Sequence, residues 1–494
     1  MPNRKEFFDS HNQRFESLTF DDVLMLPGHS DIAPDMVDTT SRLTRKFKVR
    51  VPLVTAAMDT VTEAPMAIAA AKAGACGVIH RLLEPAVQAK EVVRAKSATS
   101  MLIRTPLTKG PEMSVSQLLT WISDRKKVAK TSFDTHPILD DSGTLLGLVG
   151  GKEVRYCRDK SRALGEIMTP RSRLITVKPG TTAEIAYDIM LEKQVSALPL
   201  VDDEGRLQGL YLLTDLERIF SDDRGGYNLD DSGALIVAAA IGTGVRERHE
   251  RAVPLVDAGV NIIVIDTAHG DSDAAVSQIE WAKRTLPSTV EVIAGNVATA
   301  SGAKALCDAG ADAIKVGIGP GSICTTRVQM GVGVPQLTAV YECARIARDY
   351  GIPVIADGGI RSTGDMIKAF CAGAETIMAG SIFAGTDEAP GQVIVEKGRE
   401  VKDYRGMGSA AVMAVSGDRY RQSKENFVPE GVEGTVPYRG SVSRVIRNCA
   451  NGICAGCGYL GARTIAELPQ IADFTRITNS GLRESYPHDI FFNE

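Results

Sequence analysis

The chain has 494 residues, of which 44% are hydrophobic and 24% are charged, and its formal net charge is −5. That length exceeds one ordinary domain and fits a large domain with an accessory module, while the negative charge offers no basic surface for nucleic acid or an anionic membrane. The longest apolar run, residues 234–241, is too short to span a bilayer, so we expect small-molecule partners, with no nucleic-acid and no membrane partner.

Eight short apolar segments recur along the chain and predict parallel strands. They begin near residues 51, 74, 234, 261, 291, 312, 353 and 376. Most are separated by segments with helical periodicity, several of which end on a glycine suited to a helix C-cap. Apolar strands that alternate with helices are typical of a parallel sheet covered by helices. The expected fold class is therefore α/β, a closed (β/α)8 TIM barrel.

The regular alternation is interrupted once, between the second and third predicted strands. Inside the gap, residues 136–156 and 198–219 share a P-[IL]-[LV]-D-D pattern followed by a glycine turn and an apolar strand. A repeat at this distance predicts a duplicated unit. We expect residues 1–96 and 223–494 to form the barrel and residues 97–222 to form a tandem two-repeat module inserted at a barrel loop.

Polar residues follow most of the predicted strands, at the end of the barrel where active sites lie. They are Asp59, Asp266 with His269 and Ser272, Asn296, Cys324, Asp357 to Arg361, and Gly380 with Ser381. Taken singly, each suits a turn or a helix cap. Together they predict one site, and the glycines after strands seven and eight indicate a phosphorylated ligand, because these loops bind phosphate through backbone N–H groups.

The segment "GIGPGSICTTR", residues 317–327, places Cys324 in a loop too rich in glycine to bury it. Pro320 and the following residues do not open the helix of a dinucleotide-binding motif. The glycines allow the backbone to approach a ligand, with Ser322 as a phosphate donor and Cys324 as a candidate nucleophile.

The other cysteines are expected to be packing residues. Five lie in apolar or helical contexts: Cys76, Cys157, Cys307, Cys343 and Cys371. The C-x4-C-x2-C spacing of Cys449, Cys454 and Cys457 can open an iron–sulfur site, but no fourth cysteine follows it. Scattered cysteines without an apolar leader predict reduced thiols and a cytoplasmic location.

Several specific motifs then carry a resemblance that covers nearly the whole chain. They include "LTFDDVLMLPG", "AAMDTVTEAPMAIA", "VIDTAHGDS", "KVGIGPGSICTTR", "IADGGIR", "YRGMGS", "VPEGVEGTVPY" and "ESYPHDI". With them the chain resembles the inosine-5′-monophosphate (IMP) dehydrogenase and guanosine-5′-monophosphate (GMP) reductase family. The resemblance implies that the inserted module is a pair of cystathionine-β-synthase-type (CBS) repeats, a Bateman domain. It also implies NAD-dependent oxidation of IMP to xanthosine 5′-monophosphate (XMP) in guanine nucleotide biosynthesis.

The resemblance also implies a role for individual residues. Cys324 would attack C2 of the purine, and Arg419, supported by Thr326 and Tyr420, would activate the water that hydrolyses the thioimidate. The substrate would be bound by Met58, Ser322, Asp357, Gly359, Gly380, Ser381, Tyr404, Gly406, Met407, Gly408 and Glu430. NAD would be bound by Asp266, Ser272, Asn296, Gly317 and Gly319.

A potassium ion and subunit contacts are implied as well. The ion would lie among Gly317, Gly319 and Cys324 of the cysteine loop and Glu484, Ser485 and Tyr486 of the tail. Because it would tie the loop to a neighbouring subunit, it implies a homotetramer, or an octamer formed through the CBS modules. A mobile flap would span about residues 409–438.

Two alternatives remain open from the sequence. The first is GMP reductase, which usually has a glutamate where this chain has Ala410 and lacks the Arg419-Tyr420 pair. The second is an inactive nucleotide-sensing barrel. Two departures from the family pattern also stand out. Leu82 and Leu83 follow strand two, and the aspartate of the repeats is kept only in the second, as Asp215, because Glu153 replaces it in the first. We therefore expect weak or no control by ATP or GTP.

Overall fold

The computed structural model describes residues 4–12, 16–99, 102–103, 106–128, 135–221, 224–415, 418–420, 427–487 and 489. The chain divides into two compact units. One combines Met1–Ala98 with Gly225–Glu494, and the other is Thr99–Arg224. The module boundaries expected from the sequence are 97 and 222. Of the expected flap, residues 416–417 and 421–426 lie outside the described part of the chain.

The larger unit contains a closed barrel of eight parallel strands, as the spacing of apolar segments predicts. The strands are Leu53–Thr55, Cys76–Ile79, Ala238–Ile241, Ile262–Asp266, Glu291–Val297, Ala313–Val316, Val354–Asp357 and Thr376–Ala379. The sheet closes because the eighth strand pairs with the first, with Ile377 opposite Leu53. The second pairs with the third across the insertion, with Val78 opposite Ala238. The α/β fold class is therefore confirmed.

Helices alternate with the strands and bury their apolar faces against the barrel. They are Ala64–Lys72, Pro85–Lys96, Val253–Asp257, Asp273–Thr285, Ala300–Asp308, Gln336–Asp349, Thr363–Ala372, Ser381–Ala384 and Val442–Leu460. Local signals set their ends: Ser362 Oγ accepts a hydrogen bond from Asp365 N at 3.2 Å, and Gly373 takes the left-handed C-cap conformation. No helix in the described ranges is long and apolar enough to cross a membrane.

Three further sets of elements extend the barrel unit. A three-stranded antiparallel sheet follows the eighth barrel strand and consists of Ile394–Glu396, Arg399–Arg405 and Glu433–Pro437. The short helix Ala410–Val415 follows the middle strand of that sheet. Near the termini, Val23–Met25 pairs with Phe474–Arg476, and Asn479–Glu484 forms the last described helix. Two short strands, Ser41–Arg42 and Lys48–Val49, also pair.

The smaller unit contains two copies of one arrangement. In each, a helix precedes an antiparallel strand pair, and a second helix follows. The first copy has Val115–Val128, Thr135–Leu139, Leu145–Gly150 and Gly151–Tyr156, and the second has Ala183–Lys193, Ala197–Val201, Leu207–Leu212 and Leu213–Ser221. Both strand pairs shift register near their ends, at Ile138/Leu139 and at Leu200/Val201. The sequence repeat therefore corresponds to a structural repeat, with a separate small core in each copy.

Candidate active site

A cavity of about 330 Å³ lies at the C-terminal ends of the barrel strands. Most of the predicted site residues line it. They are Met58, Asp266, Asn296, Gly317, Gly319, Ser322, Cys324, Thr326, Asp357, Gly359, Gly380, Ser381, Tyr404, Gly406, Met407, Gly408, Arg419, Tyr420 and Glu430. Residues from the ends of six of the eight strands, the cysteine loop and the flap thus meet at one place, as expected for this fold.

Cys324 is half-buried at the tip of the cysteine loop. Its Sγ lies 3.1 Å from Thr326 Oγ1, which in turn donates a hydrogen bond to Glu430 Oε2 at 2.8 Å. Backbone contacts fix this relay, since Thr325 N donates to the Glu430 carbonyl at 2.9 Å. Glu430, which belongs to the expected flap, is therefore linked to the Cys324 sulfur through the Thr326 hydroxyl.

Most of the other thiols have the surroundings of packing residues. Burial raises the pKa of Cys76 and Cys457 to about 12 and that of Cys307 to about 11, so these thiols stay protonated at neutral pH. Cys449, Cys454 and Cys457 all lie on the helix Val442–Leu460. Among the described residues, no group of three or more histidine, cysteine or acidic side chains could hold a metal ion.

A buried lysine, Lys315, lies between Asp266, which is predicted to bind NAD, and Asp357, which is predicted to bind the substrate. Lys315 Nζ lies 3.2 Å from Asp266 Oδ1 and 2.8 Å from Asp357 Oδ2, and it also contacts Asn296 Oδ1. Asn296 Nδ2 completes the network by donating to Asp357 Oδ2 at 2.9 Å and to the Gly317 carbonyl at 2.7 Å. Lys315 was absent from the predicted site. Its one signal in the sequence is a charged residue inside the apolar strand Ala313–Val316.

Arg419 forms an ion pair with Asp266 inside the cavity. Its Nε lies 2.7 Å from Asp266 Oδ2 and its Nη2 lies 3.0 Å from Asp266 Oδ1. Burial works against both charges, yet Arg419 and Lys315 hold the pKa of Asp266 well below its usual value, and Asp266 raises the pKa of Arg419. In this arrangement Arg419 is a cation. Asp266, the carboxylate predicted to bind NAD, is paired with this residue of the flap instead.

The predicted phosphate side of the cavity is built from glycines and hydroxyl groups. A Cβ atom at Gly380 would lie 2.6 Å from the Tyr404 hydroxyl oxygen, so only glycine admits this contact. Gly359 has a φ of +77°, a conformation that favours glycine. Burial raises the pKa of Tyr404 to about 12, which keeps its hydroxyl protonated. The chain thus places Ser322, Ser381 and Tyr404 around one region as potential donors to an anion.

Six predicted residues do not line the main cavity. Of the polar strand-end residues, Asp59 pairs with Arg405 instead, and His269 lines a smaller neighbouring cavity. Ser272 lies in that same cavity of about 40 Å³, which Arg419 and Tyr420 also line. Glu484, Ser485 and Tyr486 line neither cavity, and the Tyr486 side chain is exposed. Conversely, Thr19, Asp21 and Arg327 line the main cavity without having been predicted to bind a ligand, whereas Arg361 lines it as one of the polar strand-end residues predicted from the sequence. Thr19 and Asp21 come from the N-terminal segment, whose position over the barrel has no local sequence signal.

The fold and this site define a (β/α)8-barrel enzyme with a cysteine at the centre of a nucleotide-sized cavity. Residues 17–488 match the IMP dehydrogenase / GMP reductase domain family. The chain belongs to the IMP dehydrogenase / GMP reductase family.

Individual relatives agree with the family match. The chain is 47% identical over 483 residues to an inosine-5′-monophosphate dehydrogenase of Aquifex aeolicus, covering 96% of both chains. It is 44% identical to that of Mycobacterium tuberculosis, covering 98% of this chain and 91% of the relative. A crystal structure of a GMP reductase variant from Trypanosoma brucei, in complex with guanosine 5′-monophosphate, matches with a TM-score of 0.86 at 36% identity, covering 96% of this chain and 98% of that chain.

Proposed function

We propose that this protein is an oxidoreductase that oxidises IMP to XMP with NAD as the hydride acceptor, in guanine nucleotide biosynthesis. The observation that carries the proposal is that Arg419 and Tyr420 line the same cavity as Cys324. Reduction of GMP would release ammonia from a cysteine adduct, whereas oxidation of IMP leaves an adduct that only water can release. The high identity to dehydrogenases over nearly the full chain supports the same direction.

In the proposed reaction Cys324 Sγ forms a bond to C2 of the purine. The hydrogen on C2 leaves with its electron pair, which requires a hydride acceptor, and NAD supplies that chemistry when bound. Thr326 Oγ1 can take the proton of the thiol while it passes its own proton to Glu430 Oε2, because the three groups are already joined by contacts of 3.1 and 2.8 Å. The phosphate would be held by Ser322, Ser381 and Tyr404 and the ribose by Asp357.

Hydrolysis of the thioimidate needs a group that accepts a proton from water. Arg419 is the residue that the family resemblance assigns to this water, but Asp266 raises its pKa and so disfavours loss of its proton. Tyr420 Oη, 3.4 Å from Arg419 Nη1, and the Thr326–Glu430 pair are the neighbouring groups able to move a proton. We infer that Glu430 first releases the thiol proton to solvent. Arg419 then holds the water while Glu430, through Thr326, receives the water's proton. When the C2–S bond breaks, Glu430 returns this proton to Cys324 Sγ.

The residues present fit NAD and a monovalent cation. Asp266 offers carboxylate oxygens to ribose hydroxyls once Arg419 leaves it, and Ser272 and Asn296 lie near that position. The Gly317, Gly319 and Cys324 carbonyls are the hard oxygen ligands that potassium takes, and a Cβ at Gly317 would lie 2.0 Å from the Asp357 carbonyl oxygen. Together with Glu484, Ser485 and Tyr486 of a second chain, these carbonyls would bind one ion between two subunits, which supports a homotetramer. The cytoplasmic location stays a prediction.

The inserted module is proposed to be a pair of CBS repeats with a regulatory role. Its two copies share one topology, and a T. brucei GMP reductase structure in complex with guanosine 5′-triphosphate covers 95% of this chain with a TM-score of 0.77. GTP is therefore the first effector to test. The replacement of the family's aspartate by Glu153 in the first repeat leads us to expect a weak response.

GMP reductase remains the second candidate because solved reductases cover nearly the whole chain. The test is mass-spectrometric analysis of the products from IMP and NAD. We expect XMP and NADH in equal amounts. Absence of XMP, with inosine monophosphate formed from GMP and NADPH instead, would replace the proposal with the reductase.

A further inference from the structure

Arg327 spans the base of the cysteine loop, three residues after Cys324. Its Nε donates to the Ile318 carbonyl at 3.4 Å and its Nη2 donates to the Val334 carbonyl at 2.5 Å. One carbonyl precedes Cys324 and the other follows it. The guanidinium therefore joins the two arms of the segment that displays the sulfur.

Two glycines make room for the Arg327 side chain. A Cβ atom at Gly319 would lie 2.5 Å from Arg327 Cγ, and one at Gly333 would lie 2.7 Å from the same atom. Both glycines also have a positive φ, +81° and +156°. The backbone on either side of Cys324 is thus shaped around this arginine as well as around any ligand.

Arg327 differs from the other arginines of the cavity because it is not paired with a carboxylate. Three arginines line the cavity within the described ranges, and two have a carboxylate partner: Arg361 pairs with Asp21 and Arg419 pairs with Asp266. Among the described residues, no carboxylate lies within ion-pair distance of Arg327, whose hydrogen bonds go to backbone carbonyls. Burial lowers the pKa of Arg327.

We propose that Arg327 is a positioning residue for Cys324, which closes the base of the cysteine loop and adds a positive charge on the side of the cavity where the sulfur lies. This inference rests on the proposed function, because it takes Cys324 as the nucleophile. The two carbonyl contacts fix where the sulfur stands, and the positive charge favours the approach of an anionic nucleotide to it.

The charge can be measured without any substrate. Iodoacetate is an anion and iodoacetamide is neutral, yet both alkylate the same thiolate, so the ratio of their rates at one pH is independent of the thiolate fraction. Peptide mass spectrometry resolves Cys324 from the other half-buried cysteine, Cys454. In the unmodified protein we expect the iodoacetate to iodoacetamide ratio at Cys324 to exceed that at Cys454 by about three- to tenfold. If the ratio at Cys324 equals the ratio at Cys454, the proposal is overturned. This comparison uses only the unmodified protein.

Variants then assign the charge to Arg327. In Arg327→Gln, which keeps an amide donor but removes the charge, the ratio should fall by about three- to tenfold, while Arg327→Lys should retain it. Arg345→Gln, an exposed arginine paired with Glu342, is the matched control and should leave the ratio unchanged. An unchanged ratio in a folded Arg327→Gln protein would contradict the proposal, because a merely structural role changes both rates together.

Catalysis provides the second readout. Arg327→Gln should lower kcat by roughly 10- to 100-fold, because the sulfur is displaced, and raise the KM for IMP by about three- to tenfold, because the charge that attracts the anion is lost, and Arg327→Lys should recover part of both. If the unmodified protein does not oxidise IMP, the proposed function fails while the alkylation ratio still decides the role of Arg327. If it oxidises IMP and the ratio does not change in Arg327→Gln, only the Arg327 proposal fails.

Discussion

The barrel mouth and the inserted module each contain an aspartate whose pKa is lowered, but by different means. In the mouth, Asp266 is buried, and its pKa is lowered by the charges of Arg419 and Lys315, which are distant in sequence. In the module, Asp140 is exposed, and its pKa is lowered by hydrogen bonds from Ser142 and Thr144 of its own turn. Buried, mutually dependent charges are typical of active sites, whereas local turn contacts stabilise a loop. The comparison assigns the chemistry to the mouth.

The largest effect is expected from the sulfur itself. Cys324→Ala should abolish NADH formation, because Cys324 is the one cysteine among the described residues that line the cavity, while IMP binding measured by calorimetry stays within about threefold of the unmodified protein. Cys454→Ala, the other half-buried cysteine, is the control and should be fully active. Steady turnover by Cys324→Ala would end the covalent mechanism.

Arg419→Ala should affect the second half of the reaction alone. We expect one rapid burst of NADH followed by a steady rate that is lower by about 10²- to 10⁴-fold, since only the hydrolytic step loses a group. Mass spectrometry of the quenched enzyme should find the nucleotide on Cys324. Loss of the burst together with the steady rate would assign Arg419 to hydride transfer instead.

Lys315→Met tests whether the buried charge network is needed. Its removal leaves Asp266 and Asp357 without one positive partner, so the free energy of unfolding should fall by about 3–5 kcal/mol and kcat/KM by roughly 10- to 100-fold, with partial recovery in Lys315→Arg.

The same network makes stability depend on pH. Because the pKa of Asp266 is lowered in the folded protein, its ionisation stabilises the fold above the ordinary carboxyl pKa, and this contribution is lost as the pH falls through the lowered value. Chemical denaturation that is unchanged in Lys315→Met would show that the network is dispensable.

The module should contribute least. Replacing residues 99–224 with a short linker should keep kcat within about twofold, because the residues described as lining the cavity all belong to the barrel unit. Addition of GTP or ATP to the full chain should shift the IMP saturation curve weakly. A strongly sigmoidal curve with either nucleotide would mean that the module controls the barrel despite the replacement of the family's aspartate in its first repeat.

The parts predicted from the sequence are those that depend on local patterns. Strand spacing and glycine-rich strand ends predict the barrel and place Cys324 and Gly380 at one mouth. Lys315 could not be found in this way, because a lysine inside an apolar strand reveals its partners only when the barrel closes. The Arg361–Asp21 contact joins residues 340 positions apart, and no periodicity signals it. The Asp266–Arg419 pair was likewise hidden, because the resemblance assigns the two residues to separate steps.

The most direct test of the central claim is a paired assay of the purified full chain. One reaction contains IMP with NAD and the other contains GMP with NADPH, each with and without potassium. Both family activities use the cysteine adduct, so only the direction of hydride transfer separates them. We predict that NADH absorbance rises in the first reaction, faster with potassium, and that NADPH persists in the second. Consumption of NADPH with release of ammonia from GMP, and no NADH from IMP, would contradict the account.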